Sequence, residues 1–231
     1  KPFNLQYTLA AWNLFLSVFS AWGAIRTVPE LLHMITHMDF EHTVCKNAYS
    51  TYGAGASGFA TQMFILSKIP ELVDTVFIVL RKKPLIFLHW YHHVTVLLFC
   101  WNAYVDRSAN GLYFVAMNYT VHAVMYFYYF LMAMKKIPKW FPSWIITLMQ
   151  ISQMIIGTFI VGITSYYANY GGKLYQPGEC SITNLSLYTG GIIYASYLYL
   201  FVEFAVKRFI FGIKEEGPGG DKKKAIKKVD Q

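Results

Sequence analysis

Charge is scarce in this chain. Of its 231 residues only 14% are Asp, Glu, Lys or Arg, against 55% hydrophobic and 18% aromatic, and the mean hydropathy is +0.35. Soluble domains carry about a quarter charged residues, so the deficit excludes an ordinary soluble fold and points to a protein of the lipid bilayer. Acidic residues are the scarcer kind, 12 in all, too thin a supply for a carboxylate-held di-iron centre. Three cysteines cannot make a disulfide scaffold. The sequence also lacks a starting methionine, a basic n-region and a cleavable signal, and it shows no internal repeat. It therefore reads as a fragment that begins inside a longer protein, with an earlier helix absent. The net charge of +8 does not indicate nucleic acid, because the basic residues sit in short clusters between apolar runs.

What the chain does have is apolar runs of about the twenty residues that span a hydrocarbon layer. They fall at about 5–25, 57–80, 85–105, 111–134, 143–169 and 186–212, which predicts six transmembrane helices and an all-α, polytopic membrane protein. Arg81-Lys82-Lys83-Pro84, Lys135-Lys136-Ile-Pro-Lys139 and the tail from Lys207 are basic, whereas loops 26–54, 106–110 and 170–185 mix or lack charge. The positive-inside rule then puts both chain ends and loops 81–84 and 135–142 in the cytoplasm, and the other loops on the far side. Cys45 and Cys180 meet on that oxidising side, so a bridge between them is expected. Asn184-Leu-Ser186 in the last such loop matches a glycosylation sequon but crowds the last helix, and Asn118-Tyr-Thr120 lies within a span. Residues 1–212 read as one transmembrane domain, and 213–231, rich in Gly and Lys, as a flexible tail.

Inside the spans, polar residues form four groups. In Leu85-Ile-Phe-Leu-His89-Trp-Tyr-His92-His93-Val-Thr-Val-Leu-Leu-Phe-Cys100, the three histidines at i, i+3 and i+4 share one helical face. That face must look into protein, because ionisable groups are costly in lipid and mark functional sites. Lys68, Glu71, Asp74 and Thr75 occupy roughly one side of the second span, where Pro70 removes a donor and should bend the helix. A plain reading of that group is an internal Lys–Glu or Lys–Asp pair holding helices together. In the fourth span Asn118, His122, Met125, Tyr126 and Tyr129 share a stripe, and an asparagine one turn from a histidine can fix its tautomer. The fifth offers Thr147, Gln150 and Gln153 on one side, suited to bonding a neighbouring helix or a substrate carbonyl.

Two competing classes are open to these residues. Histidines so spaced bind metal, and His33-Met-Ile-Thr-His37 with the His89 cluster is superficially similar to the histidine boxes of membrane desaturases. A further double-histidine box is missing, however, and His33, His37 and His42 fall in or beside the first far-side loop, while His89 enters from the cytoplasmic side. Mononuclear zinc on His89, His92, His93 and His122 is the best form of that reading. A proton-relaying transporter is the other, though paired repeats and broken half-helices are not evident.

Lys68-x-x-Glu71-x-x-Asp74-Thr75, His89-x-x-His92-His93, Asn118-x-x-x-His122-x-x-Met125-Tyr126-x-Tyr128-Tyr129 and Thr147-x-x-Gln150-x-x-Gln153 resemble, in order and spacing, the signature motifs of animal and fungal fatty acid elongases. The Phe87-Leu-His89 context is most similar to the branch acting on saturated and monounsaturated chains. The resemblance implies a barrel of six helices around a narrow acyl tunnel, preceded in the family by a seventh helix, and a lumenal disulfide consistent with Cys45–Cys180. It implies condensation of a long-chain acyl-CoA with malonyl-CoA in the endoplasmic reticulum membrane, without cofactor or resident metal. Other enzymes of the elongation cycle and a homo- or hetero-oligomer are the partners it suggests. His92 is the implied acyl acceptor, His122 its partner, Asn118 the support of His122, and His89 and His93 are acid, base or hydrogen-bonded support. Lys68, Glu71, Asp74, Thr75, Tyr126, Tyr129, Gln150 and Gln153 are expected around the substrate. Lys68, Arg81, Lys82 and Lys83 are candidates for CoA phosphate contacts, with positive-inside topology as the alternative account. Lys227-Lys228 is similar to a dilysine retrieval signal set one residue further from the end than usual.

Overall fold

The computed structural model describes residues 3–138 and 141–212; the tail, its lysine pair and Lys139 lie outside them. Among the described residues every regular element is helical: α1 Gln6–His37, α2 Phe40–Cys45, α3 Gly55–Ser67, α4 Val73–Leu80, α5 Phe87–Val105, α6 Gly111–Ala133, α7 Trp144–Tyr170 and α8 Asn184–Ala205. The expected second span is α3 followed by α4, separated where Pro70 opens a 3-10 turn, Pro70–Leu72. α1, α7 and the run Asn184–Ile210 are each long and apolar enough to cross a membrane. α5 and α6, at 19 and 23 residues, have the length as well, but histidines and tyrosines dilute their apolarity.

α1 outlasts the apolar run that predicts it, continuing through Arg26 and Pro29 to His37. Its buried side keeps going: Thr27 and Met34 are fully enclosed and Leu31 packs on Val44, Cys45 and Leu112. Tertiary burial here overrides the local stop signals. His33 and His37 therefore sit on the last turns of this helix, exposed and stacked at 4.4 Å, not in a loop.

Neighbours close a ring. α1 packs on α6, α6 on α7, α7 on α8, α8 on α5, α5 on α3, and α3 back on α1. The tightest of these seams has a sequence cause: Asn13, Ser17, Ser20, Gly23 and Thr27 make a buried stripe of small residues on α1. A Cβ at Gly23 would overlap the Tyr119 ring of α6, so only glycine permits this approach. Ser17 Oγ donates to the Ala123 carbonyl across the same seam, and Gln6 Nε2 to that of Ala133.

At one end the ring is stitched shut. Cys45 and Cys180 are bonded, joining α2 to the segment before α8. The Glu41 carboxylate accepts the backbone N–H groups of Lys173, Leu174 and Tyr175 at 3.0 to 3.1 Å. Asp106 accepts from Thr183, Ser186 and Asn102, and these hydrogen bonds hold its carboxyl below the usual carboxylate range. The sequon hydroxyl of Ser186 is thus buried in an internal contact. The opposite end carries the basic connections.

Candidate active site

The ring encloses a cavity of about 950 Å³. At the basic end its wall is built from connections: Arg81, Lys83 and Pro84 between α4 and α5, Lys135 after α6, and Arg208 after α8. Further in, α5 contributes His89, His92 and His93, α6 contributes Asn118, His122, Tyr126 and Tyr129, and α7 contributes Gln150 and Gln153. Three of the four polar groups read from the sequence thus converge on one enclosed space, and Asp74 brings in the fourth. A cavity with an apolar body, a few convergent polar groups and a cationic rim suits an amphiphile with an anionic head.

The histidine box is held from both sides. Thr75 Oγ1 lies 3.1 Å from His89 Nε2, and the His89 and His93 rings pack at 4.4 Å. Tyr197 of α8 donates to the His92 carbonyl at 3.2 Å, shares a 2.6 Å bond with Thr95, and sets its ring 4.9 Å from that of His92. The helix turn bearing His92 is therefore fixed by α8, on which α5 packs. α5 and α6, consecutive in sequence, barely touch. His122 meets the box across the cavity and not by direct packing of α6 on α5, which leaves room for a substrate between them.

Behind His122 lies a buried chain. Glu71 Oε1 accepts from Lys68 Nζ at 2.7 Å and from Ser67 Oγ at 3.0 Å. Lys68 Nζ also donates to Asn118 Oδ1 at 3.2 Å, and Asn118 Nδ2 stands 3.1 Å from His122 Nε2. Lys68 is 2% exposed and Glu71 3%, and neither lines the cavity. The expectation that Lys68 reaches CoA at the mouth is corrected: it is an interior ion pair, because the break at Pro70 turns α3's last residues into the protein. Thr75 acts on His89 without lining the cavity, and Lys82 points to solvent. Asp74 is shared, taking the Trp12 indole on one oxygen and the Tyr126 hydroxyl on the other, each at 2.7 Å. Gln150 Nε2 contacts Met125 Sδ at 3.3 Å.

Several residues of the site went unread in the sequence. Tyr197, which holds His92 from behind without lining the cavity, had no signal beyond being one of 18 tyrosines. Asn13 and Gln6 were hidden in an apolar run. Arg208 and Lys135 were visible as loop charges only. Cys100 packs beside Phe64, Ile65 and Tyr119, away from the cavity.

The sequence matches the family model described as ELO, the GNS1/SUR4 family, over residues 1–216. It is similar to "Fatty acid elongase 3" of Trypanosoma brucei brucei, 42% identical over 233 aligned positions covering 90% of this chain and 75% of that protein. Similarity extends to "Very long chain fatty acid elongase 6" of Drosophila melanogaster, 43% identical over 224 positions, 97% of this chain and 67% of the relative. The Gallus gallus protein of the same name is 41% identical over 209 positions, 90% and 75% respectively.

Proposed function

This chain belongs to the ELO (GNS1/SUR4) family, and from that premise we propose that it is a very-long-chain 3-oxoacyl-CoA synthase. It joins a long-chain fatty acyl-CoA to malonyl-CoA, giving a 3-oxoacyl-CoA two carbons longer, carbon dioxide and free CoA. The observation that carries this reading is the convergence of all four motif groups on a single cavity with histidines inside and cations at its rim. The CoA phosphates stay with Arg81, Lys83, Lys135 and Arg208 at the membrane surface, and the acyl chain runs inward. The basic end is then cytoplasmic and the disulfide end lumenal, in the endoplasmic reticulum membrane.

The reaction runs in two halves. An imidazole nitrogen of His92 attacks the thioester carbonyl, the C–S bond breaks, and CoA leaves with the proton that His92 gives up. Neutral imidazole is a competent nucleophile near neutrality, and an acyl-imidazole is reactive enough for a carbon nucleophile. With Cys100 packed away from the cavity, no thiol competes for that role. Malonyl-CoA then loses carbon dioxide, its C2 attacks the acyl carbonyl, and the C–N bond to His92 breaks, the released imidazole nitrogen taking back one proton from the medium. His122, facing the box, serves the enolate and oxyanion of this half, and His89 and His93 supply proton transfer or support.

Intact-protein mass spectrometry with long-chain acyl-CoA alone tests the covalent step. Wild type should gain one acyl mass, lose it on adding malonyl-CoA, and His92→Ala should gain none. Condensation by a protein that never carries the acyl group would remove His92 as nucleophile; absence of any 3-oxoacyl-CoA would remove the reaction itself.

A further inference from the structure

Lys68 and Glu71 lie outside the cavity, yet they are among the most deeply buried ionisable groups of the chain. A buried pair is weak evidence for stability, because desolvation offsets most of its attraction. Its geometry gives it a different use. The Lys68 ammonium is committed on three sides: to Glu71 Oε1 at 2.7 Å, to Asn118 Oδ1 at 3.2 Å, and to the face of Phe64, whose ring centre is 4.0 Å away. An ammonium only donates hydrogen bonds. The Asn118 atom facing it must therefore be the carbonyl oxygen, which fixes the orientation of the amide. The Asn118 NH₂ then points at His122 Nε2, 3.1 Å away, and that nitrogen must accept. A ring nitrogen that accepts is unprotonated, so the single proton of neutral His122 sits on Nδ1.

Resting on the condensation reading above, we infer that Lys68 is a positioning residue that locks His122, through Asn118, in the Nδ1–H tautomer, so that His122 meets the reacting carbonyl as a hydrogen-bond donor. The Nε2 lone pair is occupied and Nδ1 has no hydrogen-bond partner among the described residues. His122 has no free lone pair with which to act as a base. It stabilises negative oxygen as decarboxylation and carbon–carbon bond formation proceed, and proton acceptance falls to the box histidines. The His122 ring is held for this by edge-on packing with Tyr126 at 5.3 Å, and Tyr126 is tied in turn to Asp74. A cation two hydrogen bonds from the His122 imidazole thus chooses between two chemical roles for it.

The test is nitrogen-15 NMR of the detergent-solubilised chain labelled on histidine, with His122→Gln identifying the His122 signals. Wild type should show Nε2 unprotonated and Nδ1 protonated. Asn118→Asp replaces the donor facing Nε2 by an oxygen while keeping the contact to Lys68, so it should invert the tautomer. Its turnover should drop about 10²- to 10³-fold, the usual effect of removing one oxyanion donor, with KM for malonyl-CoA changed much less. Lys68→Met/Glu71→Met removes the pair together and should leave His122 a mixture of tautomers. A wild-type His122 protonated on Nε2 would overturn the proposal, and so would a double variant that keeps the pure Nδ1–H form. If the double variant does not fold, an uninverted tautomer in Asn118→Asp overturns it equally. These spectra need no substrate, so failure of the condensation reading would appear separately, as absent product with the predicted tautomer in place.

Discussion

Asp74 shows how far a single side chain can be read. Its two oxygens each take one hydrogen bond, from Trp12 on α1 and Tyr126 on α6, so one carboxylate on α4 pins three helices beside the cavity. Asp74→Asn still offers an acceptor to the indole and an amide to the tyrosine. Asp74→Ala strands both donors, at roughly 1–3 kcal/mol each where water cannot replace the partner. Thermal melting in detergent should therefore rank wild type above Asn and Asn above Ala; an equal loss for the two variants would show that the charge, not the hydrogen bonds, is what matters. The motif containing Asp74 was legible in the sequence as a polar stripe on a membrane helix. The division of labour within it was not. Lys68 and Asp74 are six residues apart on what reads as one continuous helix, and the turn at Pro70–Leu72 sends them to different neighbours, one into the core and one to the cavity. A helical wheel assumes the regularity that the proline removes.

At the scale of elements, helix ends carry information that charge counting misreads. α4 closes in a Schellman arrangement, with Lys83 N–H to the Ile78 carbonyl at 3.0 Å and Lys82 N–H to that of Val79 at 2.9 Å. Lys82 takes the left-handed position at φ 52, where glycine is usual and an L side chain costs roughly 1–2 kcal/mol. The sequence alone gives Lys82 two readings, a phosphate contact or a loop charge, and the fold adds a third, a residue that forms the turn leading the chain into the histidine helix. Lys82→Gly separates them. As a turn former it should melt no lower than wild type and keep its KM for malonyl-CoA, while Lys83→Ala, which removes a cation from the cavity rim, should raise that KM severalfold. A rise in KM with Lys82→Gly would return Lys82 to the phosphate site. Similar closures at Arg107 and Lys135 also place a cation at φ 52 and 58, next to helix carbonyls that favour positive charge.

For the whole molecule, the apolar runs foretold the helices and the loop chemistry foretold the Cys45–Cys180 bond, because both follow from local composition. The ring order did not follow, since α6 seeks α1, three spans away in sequence, through a stripe of small residues whose partner cannot be read from the stripe itself. That order decides where the tunnel stops. Met154 and Phe201 of the cavity wall belong to one cluster with Tyr194, Tyr197, Phe99 and Phe114, and this aromatic plug fills the ring beyond the histidines. On its other side, toward the disulfide end, Phe99 and Phe114 line a void of about 20 Å³ with Val161 and Leu187. Gly157 has no side chain because Tyr194 occupies that space, so the plug cannot slide toward α7. On the condensation proposed above, with the reacting carbonyl at His92, an acyl chain that enters at the basic rim would end against this plug, and the plug would set the longest chain accommodated. Phe114→Leu thins the plug at its far face without emptying the core as alanine would, and it should connect cavity and void. Gas chromatography of the products should then show a shift toward chains two or more carbons longer, whereas Leu9→Phe, which narrows the cavity near its rim, should lower turnover without lengthening them. An unchanged product distribution in Phe114→Leu, with the variant folded and active, would place the length limit elsewhere than in the aromatic plug.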